Sequence, residues 1–340
     1  MHNYIEDKKA AVSTRKIVFV AILLALVVIT LGAYTRLTHA GLGCPDWPGC
    51  YGFLDVPETS EKIAIAEQAF PERPVEPEKA WNEMIHRYFA GTLGLVIGLI
   101  FIISFKNRQH GTPLFLPMLL LGTVIFQAAL GKWTVTMKLM PIVVMGHLLG
   151  GFITLCLLYL LYLRLKPYRI PGGDYSLQKY QTFAIIGIII LGFQIALGGW
   201  TSSNYAALVC TQLPICQDGW LEQLTFANSF DLIPPERDTY EFGYLNHAER
   251  ITIHAVHRIG AIITSVYLAW LAFSIFSKAQ SSFFKTNAVI IGLLLTCQVA
   301  LGVSNIVFSL PLAVAVSHNV VAVILMLSLI TLTYSLKRKI

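Results

Sequence analysis

The sequence predicts an all-α integral membrane protein: eight transmembrane helices arranged as two pseudo-symmetric four-helix bundles, the product of a tandem duplication. Three observations lead there. Of 340 residues, 55% are hydrophobic and 13% are charged, with a mean hydropathy of +0.64. Soluble domains carry about 25% charged residues, so roughly half of the usual charge is missing. Long apolar runs recur eight times along the chain. Cysteines and histidines repeat at matched positions in the two halves. The same composition excludes a disordered chain. The net charge of +6 is mildly basic, but the basic residues fall where membrane topology puts them and form no groove-lining patch, so no nucleic-acid partner is expected. With 25 Gly and six Cys the chain is neither collagen nor a disulfide miniprotein.

The apolar runs bounded by charge or proline are 17–34, 84–105, 114–130, 142–163, 183–199, 253–276, 288–303 and 312–334. They are continuous, not alternating, which excludes membrane strands. A span needs about 17–25 residues, and several runs sit at the lower limit, so tilt or local bilayer thinning is expected of them. The first run follows a basic segment, as in a secretory signal. It is read as a retained span because a later span repeats its sequence. The segment before it is too short and too acidic for a mitochondrial transit peptide, so a bacterial cell membrane is the expected location, with membrane lipid around the helices.

Orientation follows from lysine and arginine. With the N-terminus in the cytoplasm, the inner segments hold Lys8, Lys9, Arg15, Lys16, Lys106, Arg108, Arg164, Lys166, Arg169, Lys179, Lys278, Lys285, Lys337, Arg338 and Lys339, against Glu6, Asp7 and Asp174. That is 15 − 3 = +12 inside, and 10 − 16 = −6 outside, from 25 basic and 19 acidic residues. Both termini are therefore expected in the cytoplasm.

The duplication shows at two offsets. A shift of 166 lays Leu31-Gly32-Ala33-Tyr34-Thr35 on Leu197-Gly198-Gly199-Trp200-Thr201, Cys44 on Cys210 and Cys50 on Cys216. A shift of 171 lays His86-Arg87 on His257-Arg258, Gln127–Gly131 on Gln298–Gly302, and His147 on His318. The domains are thus 1–170 and 171–340, two parallel repeats of the kind related by an axis along the membrane normal, with one longer loop in the second half. Duplicated scaffolds can be purely architectural. Here the residues kept are the reactive ones.

His86 and His147 lie about one and one and a half turns inside the outer ends of their spans, and His257 and His318 repeat them. Four imidazoles at one depth are costly in a membrane and mark function. Zinc wants a third or fourth ligand, which only Glu83 offers, and only in the first half. Copper prefers His with Cys or Met. Two histidines on facing helices suit the two axial positions of a haem. Gly91, Gly94, Gly98, Gly146, Gly150 and Gly151 leave room for a porphyrin face, although close helix contact explains any one of them equally well. Arg87 and Arg258 follow their histidines and fit either haem propionates or snorkelling to the interface. Glu83 stands one turn before His86 on the same helix face, where the second half has His254. Such a carboxylate is either a proton-transfer or charge-stabilising group or a residue at the aqueous boundary. The first bundle is accordingly read as reactive and the second as an electron-transfer haem site.

Cys44/Cys50 and Cys210/Cys216 lie in outer loops, an oxidising compartment where disulfides are expected. They fit a loop staple or a redox-active pair. Cys156 and Cys297 are read as buried hydrophobes.

Together, Glu83-Met84-Ile85-His86-Arg87, Gly146-His147, His254-Ala255-Val256-His257-Arg258, Ser317-His318-Asn319 and the two outer cysteine pairs resemble the haem A synthase family over nearly the whole chain. The resemblance implies eight helices and oxidation of the C8 methyl of haem O to a formyl group by successive hydroxylations, for delivery to haem–copper terminal oxidases. It implies haem b, with its iron, on His257 and His318, substrate haem facing His86 and His147, Glu83 as the catalytic carboxylate, and Cys44/Cys50 as redox-active or site-shaping. Implied partners are haem O, an electron donor, haem O synthase and terminal oxidase assembly proteins, with a homo-oligomer left open. The outer loops 55–80 and 217–246 exceed a minimal version of this pattern and suit a lid or partner surface. Two rivals remain at this point: a di-haem, quinol-linked electron carrier, which needs neither Glu83 nor the cysteines, and a haem transporter, which needs exchangeable ligation at both sites.

The charge split generates a test of topology. Reporter fusions at the C-terminus and within 55–80 should report opposite sides of the membrane; signals from the same side would refute the eight-span count.

Overall fold

The structure, a computed structural model, describes residues 2–110, 113–165 and 174–337, with side chains described from residue 12 onward except at His110. Among these residues it is all-helical apart from one isolated bridge between Cys50 and Phe53. The helices are α1 (His2–Leu37), α2 (Ser60–Ala69), α3 (Pro77–Lys106), α4 (Phe115–Thr136), α5 (Pro141–Leu165), α6 (Tyr180–Ser203), α7 (His247–Lys278), α8 (Ser282–Val307) and α9 (Leu312–Lys337), with 3-10 turns at Arg108–His110 and Tyr175–Leu177. All but α2 are long and apolar enough to cross a membrane, and the chain is a multi-pass membrane protein. Of the inner basic residues, Lys166, Arg169, Arg338 and Lys339 lie outside the described residues, as does the expected domain junction at 170/171, and the side chains of Lys8 and Lys9 are likewise not described.

The spans are longer than their apolar runs. The shortest, α4, has 22 residues, or about 33 Å at 1.5 Å per residue, enough for a hydrocarbon core of about 30 Å. Bilayer thinning is therefore not required. The apolar runs end at charged residues, whereas helices end where backbone bonding ends. Thus α3 starts at Pro77, whose missing N–H costs nothing in the first turn. The start of α7 is set by a capping box in which Asn246 accepts from the Glu249 N–H and the Glu249 carboxylate accepts from the Asn246 N–H. The helix α2 lies inside the 55–80 loop, capped by Thr59.

The chain divides into two compact units, Met1–Pro167 with Arg237–Glu241, and Tyr168–Glu236 with Phe242–Ile340. In the first, α1 packs on α3 and α5, and α4 packs on α3 and α5, closing a ring of four. In the second, α6 packs on α7 and α9, and α8 packs on α7 and α9, the same ring in the same order.

A finer repeat lies beneath this duplication. The helices α1, α4, α6 and α8 end in the same way. The N–H of Ala40, Leu139, Ala206 and Leu310 bonds to the carbonyl of Thr35, Thr134, Thr201 and Asn305 at 2.7–2.9 Å. The preceding residue, His39, Lys138, Tyr205 or Ser309, has φ of 50–55°. This is a left-handed C-terminal cap, which satisfies a carbonyl that would otherwise face the membrane boundary unpaired. Each such helix carries a glycine three residues before its capping acceptor: Gly32, Gly131, Gly198 and Gly302. Each bundle is therefore two copies of one unit, a glycine-bearing helix followed by a histidine-bearing one.

Candidate functional site

That repeat places the histidines. A Cβ on Gly32 would stand 3.0 Å from Cε1 of His86, on Gly131 3.4 Å from His147, on Gly198 3.2 Å from His257, and on Gly302 3.2 Å from His318. Each imidazole on α3, α5, α7 or α9 thus brings its Cε1 edge against a backbone that only glycine leaves bare. The glycines expected to make room divide into approached and open ones. Gly150 is filled by the Gln127 amide, Gly146 faces Leu130, Gly94 approaches Val124, and Gly91, Gly98 and Gly151 face open space. The glycines that touch the rings lie on the preceding helix. The signal that finds them is the recurrence of Leu-Gly-x-aromatic-Thr at 31–35, 130–134 and 197–201, weakened to Leu-Gly-Val-Ser-Asn at 301–305.

His86 and His147 face each other with ring centres 6.3 Å apart and planes at 88°. A metal bonded to both rings needs about 2 Å to each nitrogen and about 1 Å more to each ring centre, a span of about 6 Å. Nδ1 of His86, His147 and His318 is buried without a hydrogen-bond partner of good geometry. Among the described residues no group of three or more His, Cys, Asp or Glu gathers as a metal cage. A pair of axial ligands therefore fits a group that brings its own equatorial donors, which a porphyrin does.

Glu83 is 5% exposed. Its Oε2 accepts the Cys44 N–H at 3.0 Å, and its Oε1 is paired with Arg87 at 2.5 Å. A solvated boundary carboxylate would have neither the burial nor the partners. The approach that brings Cys44 here depends on Gly43, where a Cβ would fall 2.6 Å from the carbonyl of Lys79 on α3. Arg87 also donates to the carbonyls of Asp46 at 3.0 Å and Pro48 at 3.3 Å, and to that of Gly49. Its donors thus bind the loop closed by the Cys44–Cys50 disulfide. Asp46 folds that loop from within, accepting the N–H groups of Tyr51 at 2.6 Å and Gly52 at 2.8 Å where the chain turns through positive φ. Tyr51 donates to Pro74 at 3.0 Å, and burial pushes its hydroxyl up to about 12, so it remains a donor.

The second half repeats this design with other atoms. Cys210–Cys216 is bonded, and Arg258, 6% exposed, donates to the carbonyls of Gln212 at 2.6 Å, Ile215 at 2.7 Å and Cys210. In the place of Glu83, His254 faces Arg258 Nε at 3.2 Å and the Cys210 N–H at 3.4 Å. A neutral imidazole accepts at one nitrogen only, so one of these is not a full hydrogen bond. The two arginines read from the sequence as facing propionates or the interface hold loop carbonyls in this structure. Of the remaining cysteines, Cys156 is half-buried and Cys297 is exposed. Cys297 therefore does not belong to the core as expected, because α8 turns that face away from its bundle.

This arrangement defines a class: a multi-pass membrane protein with two equivalent helix rings, each carrying a matched histidine pair, facing in the first ring, and a disulfide-closed loop. The chain belongs to the cytochrome oxidase assembly protein family, whose model matches residues 15–330. It is 50% identical over 320 residues to a heme A synthase of Shewanella oneidensis, covering 94% of this chain and 96% of that one. It is 27% identical over 318 residues to a heme A synthase of Chelativorans sp., covering 88% and 84%, and 26% identical over 330 residues to that of Mesorhizobium japonicum, covering 91% and 86%.

Burial of the Glu83–Arg87 pair generates a stability test. Glu83→Ala leaves the Arg87 guanidinium, 12% exposed, without its counter-charge, which costs up to about 3–5 kcal/mol. Glu83→Gln retains hydrogen bonding to Arg87 and Cys44 and costs less. Thermal unfolding in detergent should therefore rank wild type above Gln and Gln above Ala; equal midpoints for Ala and wild type would contradict the pairing.

Proposed function

We propose that this chain is a haem A synthase, converting haem O to haem A for the assembly of haem–copper terminal oxidases. The observation that carries the proposal is the end-to-end likeness, at 50% identity, to a protein of that name. The site geometry agrees with it in that a half-buried, facing imidazole pair lies in the first ring.

Within this proposal the halves divide the work. His257 and His318 hold haem b as resident cofactor in the C-terminal half, 171–340, and His86 and His147 present the substrate haem in the N-terminal half, 1–170. The resident haem supplies one-electron transfer. Oxidising the C8 methyl to a formyl group is a four-electron oxidation of that carbon: with dioxygen as oxidant, each of two hydroxylations replaces a C–H by a C–OH and reduces the second oxygen atom to water with two protons and two electrons from the electron donor, and the resulting diol loses one water. Glu83 handles protons in that sequence. Its two oxygens are fixed by Arg87 and by the Cys44 N–H, and a carboxylate has about four lone-pair sites, so capacity remains to accept a proton or to stabilise positive charge at the methyl carbon. The loop that binds it lies over the outer end of α3, so Cys44–Cys50 shapes the site. Arg87 positions Glu83, and Arg258 plays the equivalent part towards the second loop. With both termini in the cytoplasm, both disulfides face outward, and the protein resides in a bacterial cell membrane. Haem O synthase, oxidase assembly proteins and an electron donor are the corresponding partners.

The experiment is haem extraction from cells that lack the gene, complemented with the wild type or with Glu83→Gln. Deletion should remove haem A and build up haem O, and the wild type should reverse this. A general acid–base group contributes about 10²–10⁴-fold, so Glu83→Gln should retain haem b and make little haem A. Unchanged haem A after deletion would overturn the function; normal haem A from Glu83→Gln would overturn the role of Glu83.

A further inference from the structure

The disulfide of the loop that binds Glu83 is covered by the loop 55–80. Cys44 and Cys50 are each 0% exposed. They share one apolar cluster with Tyr51, Val56 and Ala66, the last on α2, and Phe70 and Val75 pack against that cluster from the chain after α2. Tyr51 joins the two layers. Its ring meets that of Phe70 edge-on, with centres 5.8 Å apart and planes at 86°, and its hydroxyl donates to the Pro74 carbonyl at 3.0 Å. The first part of the cover is tied down as well: Trp81 Nε1 on α3 donates to Glu58 at 2.7 Å, and Lys62 pairs with Asp55 at 3.2 Å.

A second segment clamps the cover from outside. Arg237–Glu241 belongs by contact to the first unit, although the chain on either side of it belongs to the second. The Tyr240 N–H bonds to the carbonyl of Lys138, in the left-handed cap of α4, at 3.0 Å, and Tyr240 is buried. The next residue, Glu241, pairs with Arg73 of the cover at 3.1 Å, its side chain 11% exposed. The carboxylate is thus held to Arg73 by backbone that is anchored on another helix end. The other disulfide is enclosed differently. Cys210 and Cys216 pack with Ile251 on α7 and with Val209, Ile215 and Trp220 beside them in the chain. The loop 217–246 that follows contains no helix among the described residues, and Cys216 is 8% exposed.

Thiol–disulfide exchange requires a thiolate to reach a sulfur, so its rate depends on access. We propose that the loop 55–80 is a protective cover, clamped by Arg73–Glu241, that shuts Cys44–Cys50 off from dissolved thiols. That pair is then a permanent staple of the loop that binds Glu83, and Cys210–Cys216 is the pair open to exchange. The stapled loop presents the Cys44 N–H to Glu83 and the Asp46 carbonyl to Arg87, contacts that reduction would untie. Of the two uses open to Cys44/Cys50, shaping the site is assigned and redox cycling is not. Shielding follows from burial and does not depend on what the histidines bind, so it stands or falls apart from the proposed activity.

The test is timed reduction of the full chain in detergent by dithiothreitol, which passes two electrons and two protons to a disulfide and closes to its own cyclic disulfide. Acid quenching, maleimide trapping of the new thiols and peptide mass spectrometry give a rate for each pair. In the wild type, Cys210–Cys216 should be reduced about tenfold or more faster than Cys44–Cys50. Phe70→Ala removes the ring packed on Tyr51 and should speed reduction of Cys44–Cys50 about tenfold or more. Glu241→Gln removes only the charge of the clamp and should speed it about threefold, as for a partly exposed ion pair. Cys210–Cys216 is the internal reference and should keep its wild-type rate in both variants. Equal rates for the two pairs in the wild type, or an unchanged Cys44–Cys50 rate in Phe70→Ala, would overturn the cover, and an unchanged rate in Glu241→Gln would overturn the clamp. Parallel acceleration of both pairs would place reduction in the unfolded chain and would overturn the proposal as well.

Discussion

The contact between an imidazole and a bare glycine backbone governs how each bundle is assembled. A histidine inside a membrane must be enclosed by protein, because lipid offers its nitrogens no partner. Enclosure requires a neighbouring helix to approach within van der Waals distance of the ring. Gly32, Gly131, Gly198 and Gly302 permit that approach, since a Cβ at any of them would stand 3.0–3.4 Å from Cε1 of the facing ring. The helices that carry them then end at a fixed distance beyond, through the same left-handed cap. Ring depth, helix crossing and helix end are thereby linked within one hairpin, and each bundle uses the hairpin twice. Within each bundle, the matched position of the two histidines on their helices is a consequence of that linkage.

The disulfide-closed loops are attached to the same frame. In each half an arginine one residue after the histidine reaches outward and gathers carbonyls of a disulfide-closed loop. Its donors organise the loop, and the loop in turn presents a backbone N–H to residue 83 or 254. Where the acceptor is Glu83, the buried arginine meets a carboxylate; where it is His254, it meets an imidazole. The difference between the halves is therefore a difference of charge inside an otherwise repeated framework. On the proposed function, that difference of charge is what separates a reactive half from a half that holds a cofactor.

Much of this was legible in the residues. Eight apolar runs correspond to eight spans because continuous hydrophobicity over that length has few other uses. The cysteine pairs were legible from their spacing and compartment, and the matched histidines from the offsets. Other features were hidden for physical reasons. The helix α2 is a short amphipathic turn in a polar loop, below the length at which periodicity is informative. The partners of Arg87 and Arg258 are backbone carbonyls, which carry no residue identity to search for. The ring-contacting glycines look like any others until the shorter repeat is recognised, and that repeat is eroded at 301–305. Cys297 was misplaced because hydropathy does not tell lipid-facing from core-facing residues in a span.

The central claim is that a facing histidine pair in a ring of helices holds a haem, and it is tested most directly in the second half. Purified full-length chain should show the reduced-minus-oxidised spectrum of a low-spin haem b. His257→Leu and His318→Leu should each abolish or severely deplete that signal, while the chain continues to insert in the membrane at normal abundance. An unchanged low-spin haem b spectrum in either variant would contradict the account.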